Sequence, residues 1–250
     1  MKNSFYSVVL IAIVAIVSQG CSTVADNVSQ ERIFLMKDIL EKSVIHSDYL
    51  SYATSHNVFS PHSNNDLDAI TDSFLDNYIM FSSFTPETKN YVKHVVNQRE
   101  MAITKAGEEN RDLQIVNQLS EGVLSRLELF VEQNPTGDIV AETQSILQEP
   151  ELITLSEDAY TIVCATAATY VDSYNYWKDN ITGILNDVAT KAGNTFWGYV
   201  KRYAIADATA GLETAIGCCL LGPLTLEAVF LGAGIGSAGT CLQDIIEMYQ

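Results

Sequence analysis

The side chains able to do chemistry in this 250-residue chain are four histidines, five cysteines and a surplus of carboxylates. The histidines are His46, His56, His62 and His94. His56 and His62 flank a loop that also holds Asn64, Asn65, Asp66 and Asp68, a set of nitrogens and oxygens that could in principle surround a cation. Their spacing fits neither the ligand intervals of a zinc site nor those of a calcium loop, so a solvated polar loop with no metal is the better reading. Cys164 carries no local signature of a thiol nucleophile. Gly232-x-Gly234-x-Gly236 stands between apolar helical stretches rather than after a strand, which removes the phosphate-cradling reading of a glycine-rich loop. Paired carboxylates must occur somewhere among 31 Asp and Glu residues, so they discriminate nothing. The expectation is a protein with no catalytic residue, no cofactor and no evident small-molecule substrate.

The fifth cysteine, Cys21, has a more specific context. Val8 to Val17 is an unbroken apolar run of ten after a short start carrying Lys2. That is the length of a signal-peptide core and too short to span a bilayer, which takes about 20 residues. The following Ser18-Gln19-Gly20-Cys21 resembles a bacterial lipobox, in which a small residue precedes a cysteine that becomes the lipidated mature N-terminus. Gly20 and Cys21 fit that pattern, whereas Ser18 and Gln19 stand where it favours an aliphatic and then a small residue. The resemblance implies a signal peptide over 1–20, acylation such as palmitate at Cys21, a leader over 21–28 and a chain exported to the cell envelope. The outer membrane, on its periplasmic or surface side, is the expected address. Three acyl chains anchor a protein without help from basic residues. Ordinary signal cleavage or a retained anchor are the alternatives.

Charge limits the partners. With 14 Lys and Arg against 31 Asp and Glu the chain carries −17, and no basic run interrupts it. Such a surface repels phosphate, so nucleic acid is excluded as an electrostatic partner and the membrane must be reached through the N-terminal lipid. A protein partner is left unidentified. Cys164, Cys218, Cys219 and Cys241 remain after the leader; four cysteines in an oxidising compartment permit disulfides but make no disulfide scaffold. Small apolar packing residues are one reading, and a bond from Cys241 to Cys218 or Cys219 is the other.

Helices must position all of these residues. Apolar side chains recur at three-to-four spacing along the whole body, and no period-two pattern competes. The spacing predicts a first helix from about Ser29 to Ala53, and a second over Leu67–Phe81. A third opens at Thr85-Pro86-Glu87 and stops at Gly107, a fourth runs from Leu113 to an end at Asn134-Pro135-Thr136-Gly137, and a short fifth over Ile139–Leu147. Gln148–Thr154, with Pro150, reads as a linker between an acidic helical domain over 29–149 and a second helical region over 155–250. In that second part a sixth helix runs from Ser156 to near Trp177, and a seventh from Asn180 towards Tyr203. The fold class expected is all-α, a multi-helix bundle.

The last fifth is compositionally distinct. Tyr203 to Gln243 holds seven of the 14 glycines and only three charged residues, Asp207, Glu213 and Glu227. Gly222-Pro223 divides it into two arms of 18 and 19 residues, Ala204–Leu221 and Leu224–Leu242. In the second arm Ala228, Gly232, Gly236 and Thr240 recur every four residues and form a small-residue seam on one face, which lets another helix approach closely. Asp207, Gly211, Ala215 and Cys219 offer a counterpart face on the first arm. Three readings follow for this hairpin over 204–242: a buried core element, a membrane-inserting hairpin, or a flexible break at Gly232–Gly239. The lead-in Ala206-Asp207-Ala208-Thr209-Ala210-Gly211, the Gly-Pro turn and the glycine-rich close resemble the tails of bacterial envelope proteins, some of them bacteriocin-like. A hydrophobic hairpin inside an amphipathic bundle is similar in architecture to the pore-forming colicins. The sequence therefore supports a lipid-anchored, non-catalytic envelope module, with a membrane-active, toxin-like protein as the alternative.

Overall fold

The computed structural model describes residues 29–60, 66–109, 111–184 and 196–249. Cys21 and the segments 1–20 and 21–28 lie outside the described residues. Helix follows helix, and no strand occurs among the described residues. The order is α1 (29–42), α2 (Val44–Ser55), α3 (Leu67–Asn77), a 3-10 turn (Ile79–Phe81), α4 (Pro86–Glu109) and α5 (Arg111–Gln133). After these come α6 (Ile139–Leu147), α7 (Pro150–Ile153), α8 (Glu157–Ile184), α9 (Phe196–Leu221) and α10 (Leu226–Tyr249).

Local sequence explains the starts. Asp66 and Asp138 cap α3 and α6, each carboxylate accepting from the backbone N–H groups of the first turn. Pro150 opens α7 where its missing N–H is harmless. Glu157 and Asp158 place negative charge at the first turn of α8.

Several boundaries differ from the sequence reading. The expected first helix is divided at Ser43, whose hydroxyl donates to the Leu40 carbonyl while His46 N–H bonds back to Ser43 O. The helix expected to stop at Gly107 continues to Glu109. The linker 148–154 contains the short α7. Trp177 ends nothing; α8 runs on to Ile184, and α9 passes through Tyr203 without interruption to Leu221. Favourable packing of both faces of α8, from Tyr160 to Ile181, sustains a helix that periodicity alone divides.

One core joins residues from 29–149 and 155–250. α9 and α10 form an antiparallel hairpin at its centre. α8 and α4 pack on α9, α2 packs on α10, and α5 covers α8. The close of the hairpin depends on glycine. A Cβ at Gly232 would stand 2.2 Å from Thr214 Oγ1, and one at Gly236 would stand 2.4 Å from Ala210 Cβ, so α9 and α10 touch nearly backbone to backbone. Gly234, on another face, brings α10 onto α2: its Cβ would lie 2.8 Å from the Tyr49 ring and 3.3 Å from the His46 carbonyl. Each glycine costs about 1 kcal/mol relative to alanine in a helix interior. Two close helix contacts offset that cost, and the segment 232–239 is continuous helix rather than a flexible break.

A methyl group at Gly232 or Gly236 overpacks this contact. Gly232→Ala and Gly236→Ala are each expected to destabilise the protein by about 1–3 kcal/mol. Gly122 on α5 has nothing within 4 Å of where a methyl would stand, so Gly122→Ala is expected to stabilise by up to about 1 kcal/mol through helix propensity. Urea unfolding of the three variants against the parent chain measures both signs.

Candidate functional site: a buried imidazolium between two carboxylates

The residues singled out in the sequence are found in three places. Ala228 and Gly232 are buried in the α9–α10 contact, and Gly236 is half-buried beside them. Thr240 is half-buried and returns its hydroxyl to the Gly236 carbonyl. Gly222 and Pro223 form the exposed turn, held by Tyr91: its ring lies 2.8 Å from where a Gly222 Cβ would sit, and its hydroxyl donates to the Pro223 carbonyl at 2.8 Å. The counterpart face on α9 is Ala210 and Thr214, one position from the Gly211 and Ala215 expected; Gly211 instead meets Thr169 of α8 as well as Ala233.

The disulfide reading is corrected. Cys164, Cys218, Cys219 and Cys241 are free. The pairing of Gly232 with Thr214 and Gly236 with Ala210 places Cys218 opposite the Ala228 region of α10. Cys241 lies thirteen residues further along, roughly 20 Å, whereas a disulfide needs Cα atoms within about 7 Å. Burial pushes the Cys164 and Cys241 thiols up to about 12, which makes them inert packing groups.

The polar loop resolves in part. Asp66 is the α3 cap, and His56 is exposed with its ring tilted against Tyr52. His62, Asn64 and Asn65 lie outside the described residues.

The group that sequence reasoning passed over is His46. Its side chain is completely buried, and both ring nitrogens meet carboxylates. Nδ1 donates to Asp172 Oδ2 of α8 at 2.8 Å, and Nε2 donates to Asp207 Oδ2 of α9 at 2.8 Å. Asp172 is one-fifth exposed and also accepts from the Ser47 N–H at 3.1 Å and the Ser47 hydroxyl at 3.3 Å. Asp207 has no exposure at all. Its Oδ2 further accepts from the Ser173 hydroxyl and from Trp177 Nε1 at 3.2 Å, while Oδ1 has no hydrogen-bond partner. Trp177 Nε1 also reaches Ser237 Oγ on α10 at 3.1 Å. Nearer the C-terminus, Tyr203 Oη donates to Asp244 Oδ2 at 2.9 Å, and Arg202 pairs with Asp244 Oδ1 at 2.8 Å.

The electrostatics favour a charged imidazole. Burial alone pulls the His46 pKa down, but the Asp207 charge and the hydrogen bonds to Asp172 and Asp207 overcome it and push the value up to about 9. The cation bridges α2, α8 and α9, and Trp177 extends the bridge to α10. The arrangement is unlike a nucleophilic triad. There the imidazole offers one nitrogen to the nucleophile; here carboxylates occupy both, and Ser173 and Ser47 bond to the carboxylates rather than to the ring. A ring held this way cannot accept a proton from an attacking group.

No protein-family model, curated protein or solved structure matches the chain.

The raised pKa sets a pH dependence. His46 titrates near 6.5 when unfolded and near 9 when folded, so its contribution, about 3 kcal/mol at about 1.4 kcal/mol per pH unit, is fully present below pH 6.5 and lost as pH rises through 9. The stability difference between the parent chain and His46→Gln is expected to shrink by that amount across the window, as read by urea midpoints at each pH. A difference that does not change with pH would mean His46 is neutral in the fold.

Proposed function

We propose that the chain is a lipid-anchored protein of the cell envelope whose helical bundle is a non-catalytic binding or structural module. The observation that carries this reading is the seating of the apolar hairpin. α9 and α10 are long and apolar enough to cross a membrane, yet 61% of each apolar window is buried inside the bundle, and the small-residue seam is spent on helix contacts at Thr214 and Ala210. The commitment of both His46 nitrogens to carboxylates supports the non-catalytic part. The lipobox-like Ser18-Gln19-Gly20-Cys21 supports the anchor and the envelope address.

Metabolic labelling with radioactive palmitate tests the anchor. The parent chain is expected to take up label and to fractionate with membranes, and Cys21→Ala is expected to lose the label. Equal labelling of the two would overturn the anchor.

A membrane-active, bacteriocin-like function is the second reading, favoured by the membrane length of the two helices. Insertion would require α10 to leave its glycine contacts and Asp207 to leave His46. The module reading expects no dye release from liposomes at neutral or acidic pH; release that grows on acidification would carry the second reading instead.

A further inference from the structure

We propose that the α9–α10 turn is a membrane-contacting tip, which seats the bundle on the surface of the bilayer that holds its lipid anchor; this rests on the anchor reading above. The turn is apolar and open: Leu220 is 39% and Leu221 45% exposed, Gly222 and Pro223 are exposed, and Leu224 and Leu226 are half-buried. From Thr214 to Leu226 no residue is charged, although Glu213 and Glu227 flank the stretch, so the turn itself adds none of the acidic charge that a membrane surface repels. Tyr91 fixes its shape by packing on Gly222 and bonding to the Pro223 carbonyl. A rigid apolar tip enters an interface with little ordering cost.

The position of the tip identifies the occupant. Gly211 meets Thr169 and Asp207 meets Ser173, so α9 and α8 run antiparallel and the end of α9, at Cys219, lies beside the first turns of α8. The same region receives the start of α1: Arg32 Nη2 donates to the Leu155 carbonyl at 2.9 Å, and its guanidinium lies 5.0 Å from the centre of the Tyr160 ring. The beginning of α1 and the hairpin turn therefore lie at the same end of the bundle. Seven residues separate Cys21 from Ser29, and the eight steps between them reach at most roughly 27 Å. A lipid on Cys21 thus keeps this end of the molecule beside the bilayer, and the uncharged tip is the part of that end suited to enter it. Ile246, twenty residues along α10 from Leu226 and also exposed, stands roughly 30 Å away at the opposite end.

The test uses the acylated full chain in phosphatidylcholine vesicles, with an environment-sensitive fluorophore attached at Leu221→Cys or at Ile246→Cys in a Cys219→Ser background. The expected result is a blue shift and quenching by nitroxide-labelled lipid at position 221, persisting in high salt, with neither at position 246. Thermal unfolding of the labelled chains shows that both are folded. A chain that floats with vesicles and carries palmitate but reads water at position 221 overturns the tip while leaving the anchor intact. Absence of palmitate and of flotation overturns the anchor reading, and the tip with it.

Discussion

The structure depends on α10 being able to lie within touching distance of two other helices. Ordinary side chains hold helix axes 8–10 Å apart. At Gly232 and Gly236 a single added carbon would collide with Thr214 and Ala210, and at Gly234 with Tyr49. The three glycines sit two residues apart, so they serve different faces of one helix: 232 and 236 admit α9, and 234 admits α2. A segment with poor intrinsic helix propensity becomes the centre of the bundle because close packing on two sides replaces what propensity lacks.

That close approach brings a charge into the interior. With α2 drawn against α10, His46 falls between Asp172 and Asp207, and it carries a proton there because two carboxylates outweigh its burial. A buried ion pair adds little net stability compared with a well-packed apolar core, yet losing one partner leaves an uncompensated charge and costs about 3–5 kcal/mol. Misplacing α2 or α9 by one residue would impose that penalty. The network from Ser47 through Asp172, His46, Asp207 and Trp177 to Ser237 thus fixes the mutual register of α2, α8, α9 and α10, while the glycines set how near they come.

The sequence made the all-α class, most helix starts and the small-residue seam legible, because periodicity, caps and spacing are local properties. Thr85-Pro86-Glu87 and Ser156-Glu157-Asp158 mark helix starts wherever the helices later pack. Helix ends were harder: α8 passes Trp177 and α9 passes Tyr203 because tertiary contacts on both sides support them, which no local signal reports. His46 was invisible for the same reason. It lies 126 residues from Asp172 and 161 from Asp207, and nothing nearby distinguishes it from His94, which is exposed. One clue was available: Asp207 is one of only two acids, with Glu213, in an apolar arm, and an acid buried there needs a partner. The disulfide between Cys241 and the vicinal pair failed because antiparallel pairing sends the two ends of the hairpin apart.

A membrane-length apolar hairpin serves as the held core of this bundle, which we propose is held at a membrane by its N-terminal lipid. Hydrogen exchange of the membrane-attached chain tests it most directly, because segments that open locally exchange before those that open only on global unfolding. Amides from Ala228 to Cys241 are predicted to be among the slowest in the protein, exchanging no faster than those of α8 as denaturant is raised. Exchange of that segment ahead of α3 and α5, while the rest of the bundle stays protected, would contradict the account and mark the hairpin as the element that leaves.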